Sequence, residues 1–238
     1  MRILYEDQQI LVCYKEAGLP VQSARIGTKD LVSILKNYLW EQGGESKEPY
    51  LGVIHRLDQP VEGILVFAKN PGAAGKLSAQ VNNGTMKKIY RAVIHRAHKD
   101  IPEEGHLTDY LLKDGKTNSS RVVPRETRGA KRAELDYRIV HQRDGEDKAL
   151  QPQDVLRQSG APELVQIHLL TGRHHQIRVQ MANAGMPLYG DRKYGEMDSE
   201  GSLALCAVSL QFLHPKTGKK MEFSCEPQGE YFKRFGTY

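Results

Sequence analysis

His55-Arg56-Leu57-Asp58-Gln59-Pro60 is followed, after Val61-Glu62-Gly63, by the run Ile64-Leu65-Val66-Phe67-Ala68. An unbroken apolar run with β-branched and aromatic members fits a strand buried on both faces. A charged loop that leads straight into such a strand sits at the end of a sheet, where functional groups are commonly mounted. The stretch before it, Tyr50-Leu51-Gly52-Val53-Ile54, is short and apolar and predicts a second strand.

Upstream, Ile3-Leu4-Tyr5 and Ile10-Leu11-Val12-Cys13-Tyr14 read as strands on either side of the polar turn Glu6-Asp7-Gln8-Gln9. Leu31, Ile34, Leu35, Tyr38 and Leu39 recur at helical spacing, with Thr28 expected as N-cap and Gly43-Gly44 as the stop. Downstream, Ala73, Leu77 and Val81 predict a helix that ends near Asn83-Gly84, and residues 88–94 another strand. Residues 113–132 carry seven cations (Lys113, Lys116, Arg121, Arg125, Arg128, Lys131 and Arg132) in a polar loop or hairpin. They fit either a solvated surface or a contact with a nucleic-acid backbone.

A strand is expected over residues 135–140, an exposed hydrophilic loop over 141–160, and a strand over 164–170. Thr171-Gly172 then leads into a helix with Ile177, Met181 and Ala184 on its buried side, ended by Gly185 and Pro187. Strands are expected again over 203–213 and 221–224. Strands outnumber helices and do not alternate regularly with them, so the class is α+β, expected as one domain spanning 1–238.

Of the 238 residues, 34 are Lys or Arg and 29 Asp or Glu, a net charge of +5. That excess favours a polyanionic partner, and it equally fits a mildly basic enzyme surface. The three cysteines (Cys13, Cys206 and Cys225) form no CxxC pair, which argues against a disulfide framework or a zinc knuckle. No run approaches the ~18 apolar residues of a membrane span, and the N-terminus lacks a signal-peptide layout. The expectation is a reduced cytoplasmic protein that does not engage a membrane.

Three places combine charge with an apolar frame: His55 to Asp58, Lys88-Ile89-Tyr90, and Gly172-Arg173-His174-His175-Gln176-Ile177-Arg178. The last is expected to form the first turns of a helix, whose free N–H groups suit an anion. On that helix His174 and His175 would point about 100° apart and share no metal. The sequence holds no HExxH, no GxxxxGK[ST], no G-x-S-x-G and no zinc-deaminase pattern. Residue chemistry alone leaves the reaction open, since a carboxylate, an arginine and a tyrosine also make a structural ion pair under a core tyrosine.

HRLDQPVEGILVFAKN, KIYRAVI and LLTGRHHQIRVQMANAGMPLYGDRKYG, in that order and with that spacing, resemble the motifs of RluA-type pseudouridine synthases, and ILYEDQQILVCYKEAGLPVQS is similar to their opening strands. The resemblance covers nearly the whole chain and three motifs in sequence are specific. It implies the pseudouridine-synthase fold: a mixed, largely antiparallel sheet with flanking helices around a central RNA-binding cleft, with no separate N-terminal RNA-binding module. It implies isomerisation of a uridine in structured RNA, ribosomal or transfer, without cofactor, metal or obligatory protein partner. The alternative is a non-catalytic RNA-binding protein or chaperone that retains the fold.

By the same resemblance Asp58 is the catalytic carboxylate, Arg178 its charge partner, and Tyr90 the ring that stacks on the base and stands near C5. Arg56 takes the gap left in the RNA stack, and His55, Lys88, Arg173, His174, His175 and Ile177 contact substrate or brace the site. The sequence departs from the family at Val61-Glu62, where Thr-Ser is common, and at Lys15-Glu16, where Lys-Pro is common. Glu62 is expected to point to solvent.

Overall fold

In a computed structural model of the protein, the apolar run lies in β4 (Glu62–Ala68), all seven residues of which are buried. β2 (Ile10–Lys15), likewise buried throughout, pairs antiparallel along it from Ile10↔Ala68 to Lys15↔Gly63, and β1 (Arg2–Glu6) pairs antiparallel with β2. The opposite edge of β4 is shared. β10 (Leu205–Leu213) runs parallel to it only at Cys206↔Glu62 and Ala207↔Gly63, whereas β3 (Gly52–Val53) takes Phe67 and Ala68. β11 (Lys220–Ser224) continues antiparallel from β10.

The structure describes residues 1–24, 27–43, 48–98, 100–141, 161–195 and 201–235. The chain forms two compact units, Met1–Ile89 with Cys206–Pro227, and Tyr90–Leu205 with Gln228–Tyr238. In the first unit the strand order is β1-β2-β4-β10, and Ile10, Val12, Ile64, Val66, Leu77 and Phe212 share one apolar core. Fully burying each such side chain contributes about 1.5–3 kcal/mol.

α1 (Leu31–Gly43) begins later than expected, because Asp30 rather than Thr28 caps it. The Asp30 carboxylate accepts from Ser33 N at 2.7 Å and from Ser23 N at 2.8 Å, while Leu31 N and Val32 N donate to the carbonyls of Pro20 and Val21. A carboxylate that satisfies two orphan amides is the stronger cap. Gly44, half of the expected stop, lies outside the described residues. α2 (Pro71–Asn82) matches its expected end; Asn70 Oδ1 accepts from Ala73 N at 2.8 Å, and Pro71 occupies the first turn, where its missing N–H costs nothing.

In the second unit the order is β5-β9-β8-β6-β7, where β5 is Lys87–His95 (entering the unit at Tyr90), β6 Glu104–Asp114, β7 Ser119–Val122, β8 Lys131–Ile139 and β9 Pro162–Leu169. The β6–β7, β6–β8 and β8–β9 pairings are all antiparallel. The basic stretch is therefore the β6–β7 hairpin and the turn that leads into β8, and its seven cations are all exposed. Of the loop expected over 141–160, residues 142–160 lie outside the described residues. α3 (Gln176–Asn183) is buried all round its first six residues rather than on one apolar stripe, and a 3₁₀ helix follows at Glu230–Phe235. Among the described residues no helix is long and apolar enough to cross a membrane.

Gly63 fixes how closely β4 and β10 approach. Its φ is +128°, and a Cβ built there would lie 2.5 Å from both Ala207 N and Ala207 O. Gly63→Ala forces two paired backbones apart in a conformation that L side chains rarely adopt. It should cost roughly 2–4 kcal/mol in urea unfolding. A variant within about 0.5 kcal/mol of wild type would show that this approach constrains nothing.

Candidate active site

The loop that carries Asp58 is held from beneath by a lysine. Lys15, at the end of β2, is wholly buried. Its Nζ donates to the carbonyl oxygens of Leu19 (2.7 Å), Glu16 (3.0 Å) and Gln59 (3.0 Å). Gly18 N also donates to Gln59 O at 2.9 Å, Gln59 Nε2 returns a bond to Gly18 O at 3.0 Å, and Val61 N closes the turn onto Asp58 O at 3.0 Å. The residue after Asp58 is thus pinned at both ends. Burial pushes the Lys15 ammonium down to about 8, and the negative charges of Asp58 and Glu62 oppose that fall.

Around this turn Arg56 is exposed, Leu57 buried and Asp58 half-buried. His55 is turned inward. Its Nε2 accepts from Val66 N at 3.3 Å, at the fork where β3 and β10 leave β4 by opposite ends. Its Nδ1 is buried, although the residue as a whole keeps some exposed surface. Burial, helped by the neighbouring Lys88 charge, pushes the ring down to about 3, so the imidazole is neutral and free to accept. Lys88 is itself buried, and burial lowers its pKa.

Glu62 does not point to solvent as expected. It is buried, and its Oε2 accepts the Tyr14 hydroxyl at 2.5 Å. The reason is register: Glu62 opens β4 opposite Cys206, inside the first unit's sheet.

In the second unit Tyr90 lies on β5 and is buried on the same alternation as Ala92 and Ile94. Arg173, His174 and His175 do not form the first turns of α3. They make the turn before it, because His175 adopts the left-handed conformation (φ 54°) and the helix starts at Gln176. Gln176 Oε1 accepts from Arg173 N at 2.9 Å and Thr171 Oγ1 at 2.8 Å, so a side chain occupies the helix start. The two histidine rings, expected to diverge, are stacked with centroids 3.8 Å apart.

They serve the basic hairpin. His174 Nε2 donates to Asn118 Oδ1 at 3.2 Å, and its Nδ1 accepts from the Ser120 hydroxyl at 2.9 Å. Tyr194 Oη accepts from Ser120 N at 2.8 Å and donates to His175 Nδ1 at 2.7 Å. Burial first, then the charges of Arg178 and His174, push His175 down to about 3, which keeps that nitrogen's lone pair available. Lys193 Nζ donates to the carbonyls of Asn118 (2.7 Å) and Thr117 (3.2 Å). Arg173 Nε donates to Arg132 O at 2.8 Å, and Ile177 is buried in α3.

Arg178 is buried and aimed by Asp191, a residue that motif reading did not single out although it lies in PLYGD. Nε donates to Asp191 Oδ2 at 2.8 Å and Nη2 to Oδ1 at 2.6 Å, a forked geometry that only a guanidinium provides. Oδ1 also accepts from Lys193 N and Tyr194 N. The guanidinium carbon stands 5.1 Å from the centre of the Tyr194 ring. Among the described residues no three of His, Cys, Asp or Glu gather to hold a metal ion.

Comparisons with known proteins show which family the chain is similar to. Residues 9–183 match the family described as RNA pseudouridylate synthase. An uncharacterized RNA pseudouridine synthase of Bacillus subtilis is 35% identical over 227 residues, 93% of this chain and 67% of the relative. Ribosomal large subunit pseudouridine synthase D of Zymomonas mobilis is 29% identical over 95% of this chain and 69% of its own, and synthase C of Buchnera aphidicola 28% over 98% and 69%. Among solved structures, human RNA pseudouridylate synthase domain containing 4 shares the fold, with a TM-score of 0.70 at 22% identity over 95% of this chain and 89% of that one. The α+β chain whose Asp58 turn and Arg178 helix are described above belongs to the RNA pseudouridine synthase family.

Proposed function

We propose that this chain isomerises a uridine of large-subunit ribosomal RNA, with Asp58 as the catalytic carboxylate. The observation that carries the assignment is the Lys15 cage: a buried cation fixes the turn that presents a half-buried carboxylate. A turn so braced holds a reacting group within the narrow geometry that catalysis requires. The choice of RNA rests on relatives named for the large ribosomal subunit. Cys13 and Cys206 are buried and form no disulfide, which favours a reducing compartment, the cytoplasm.

The reaction breaks the N1–C1′ bond, turns the uracil and rejoins it through C5. Nothing is oxidised: C5 gives up its proton as the new C1′–C5 bond forms and N1 takes one up, so atoms and charge balance without a co-reactant. Asp58 assists cleavage of N1–C1′. Tyr90 stacks on the base and stands near the C5 proton, and Arg178, aimed by Asp191, supplies positive charge to the reaction. Arg56, exposed beside Asp58, fills the gap left by the flipped nucleotide with a planar, stacking guanidinium. Extrusion costs a few kcal/mol, offset by stacking and backbone contacts. The exposed cations of residues 113–132 clamp the RNA backbone.

The first test is tritium release from ribosomal and transfer RNA labelled at uridine C5. Wild type should release tritium from large-subunit RNA, and Asp58→Asn should lose at least ~10³-fold in kcat while binding the RNA unchanged. No release by wild type, or full activity in Asp58→Asn, would sink the assignment.

The clamp is tested separately. Arg121→Glu, Arg128→Glu and Lys131→Glu together should weaken RNA binding and reduce the slope of log K against log salt by roughly 2 to 3. Binding with the wild-type slope would remove the hairpin from the interface.

A further inference from the structure

β7 ends the strand order of the second unit, a four-residue strand paired with β6 from Leu111↔Val122 to Asp114↔Ser119. A ribbon of that length is marginal by itself. Its turn also holds Asn118 in the left-handed conformation (φ 50°), which a residue other than glycine adopts at a cost. The exposed cations Lys113, Lys116 and Arg121 stand on this ribbon, so groups outside it must decide where they point.

Those groups belong to one turn, residues 191–194. The Asp191 carboxylate is buried, and its Oδ1 accepts from Arg178 Nη2 at 2.6 Å, Lys193 N at 3.0 Å and Tyr194 N at 3.2 Å. The two residues whose amides hold that oxygen send their side chains to the hairpin. Lys193 Nζ donates to the carbonyls of Asn118 and Thr117, and Tyr194 Oη accepts from Ser120 N at 2.8 Å while donating to His175 Nδ1 at 2.7 Å. Ser120 is buried and is held a second time, its hydroxyl 2.9 Å from His174 Nδ1. The Tyr194 ring meanwhile lies under the Arg178 guanidinium. One short turn thus carries the hairpin on one side and Arg178 on the other, all within the second unit.

We propose that this turn determines substrate specificity, with Tyr194 as its positioning residue. It sets the hairpin's cations at a fixed place relative to Arg178, so the enzyme favours a uridine whose RNA continues as backbone along the hairpin. The same uridine in a short stem-loop is the poorer substrate. The substrate class is therefore a uridine within an extended RNA fold. The inference rests on the reading of residues 113–132 as an RNA clamp. Its physical basis is preorganisation: RNA that meets a preset hairpin need not order it, whereas a loose hairpin gives back in ordering much of what its phosphate contacts contribute. RNA too short to reach the hairpin gains nothing from either state.

The phenol suits this place because its oxygen accepts one bond and donates another, while its ring faces Arg178. Tyr194→Phe removes both bonds and keeps the ring. Ser120→Ala removes the bond to His174. Neither changes the charge of the clamp, so any loss they cause is one of position and not of Coulomb attraction.

The experiment compares kcat/KM for tritium release from large-subunit RNA with that from a short stem-loop cut from it around the modified uridine. Where the stem-loop turns over too slowly to time, the ratio of dissociation constants for the two RNAs replaces it. Wild type should favour the long RNA by at least about thirtyfold; Tyr194→Phe should lower that ratio about tenfold and Ser120→Ala about threefold. A general loss of stability lowers both rates alike and leaves the ratio where it was. If Tyr194→Phe does not fold, Ser120→Ala carries the test. A wild-type ratio near one, or folded variants that keep the wild-type ratio within about 1.5-fold, overturns the inference alone. If the triple charge reversal in the hairpin leaves the ratio unchanged, the clamp falls and this inference with it.

Discussion

An ammonium without water must find an acceptor for each of its three protons, and Lys15 meets that need with carbonyls of two segments. The carbonyls come from the chain just after β2 and from the loop before β4. Each depends on the pairing of β2 with β4, which places Lys15 opposite Gly63. The pairing in turn leaves β4's first residues for β10, at a distance that only glycine permits. The position of Asp58 is therefore a consequence of strand register. A slip of one residue would turn Lys15 to the other face and release the loop.

The second unit meets a related problem with side-chain partners in place of carbonyls. α3 buries Gln176, Arg178 and Gln180, side chains that are normally kept in water. Gln180 Nε2 donates to Asp109 Oδ2 at 2.8 Å, and its Oε1 accepts from Gln176 Nε2 at 2.9 Å. A buried ion pair such as Arg178–Asp191 adds little net stability over an apolar pair, yet breaking it costs about 3–5 kcal/mol. Its retention makes sense as aim: two parallel hydrogen bonds fix the plane of the guanidinium as well as its place.

Where side chains faced the core by a simple period, the strands and helices were legible in sequence. β2, β4, β10 and α2 lie where apolar pattern and caps put them. β6 escaped notice because its inward positions include Gly105 and Asp109; Asp109 faces inward to meet Gln180, a partner 71 residues away. The start of α1 was misplaced because Asp30 also binds Ser23 N, a contact that no local rule reveals. Three motifs yielded the family, and with it the roles assigned to Asp58, Tyr90 and Arg178. The supports were not visible: Lys15, Asp191 and Tyr194 act through partners far off in the chain or through backbone carbonyls. The stacked histidines were misread for a different reason, since a left-handed backbone at a residue other than glycine leaves no mark in composition.

The same distinction explains how a cationic surface can be held steady while it meets a polyanion. The hairpin's cations are exposed, so their attraction to phosphate falls as salt rises. The bonds that fix the hairpin are of another kind. They run from Tyr194 to a backbone amide, from His174 to a hydroxyl and an amide oxygen, and from Lys193 to two carbonyls. None of them joins two opposite charges, so salt that strips the cations of their pull leaves the hairpin's conformation intact. Neutral His175 is what permits this arrangement. Protonated, it would place a third charge between Arg178 and Lys193 and lose the lone pair that Tyr194 requires. Rigidity beneath and charge above are thus set by independent forces, and only the second is exposed to ionic strength.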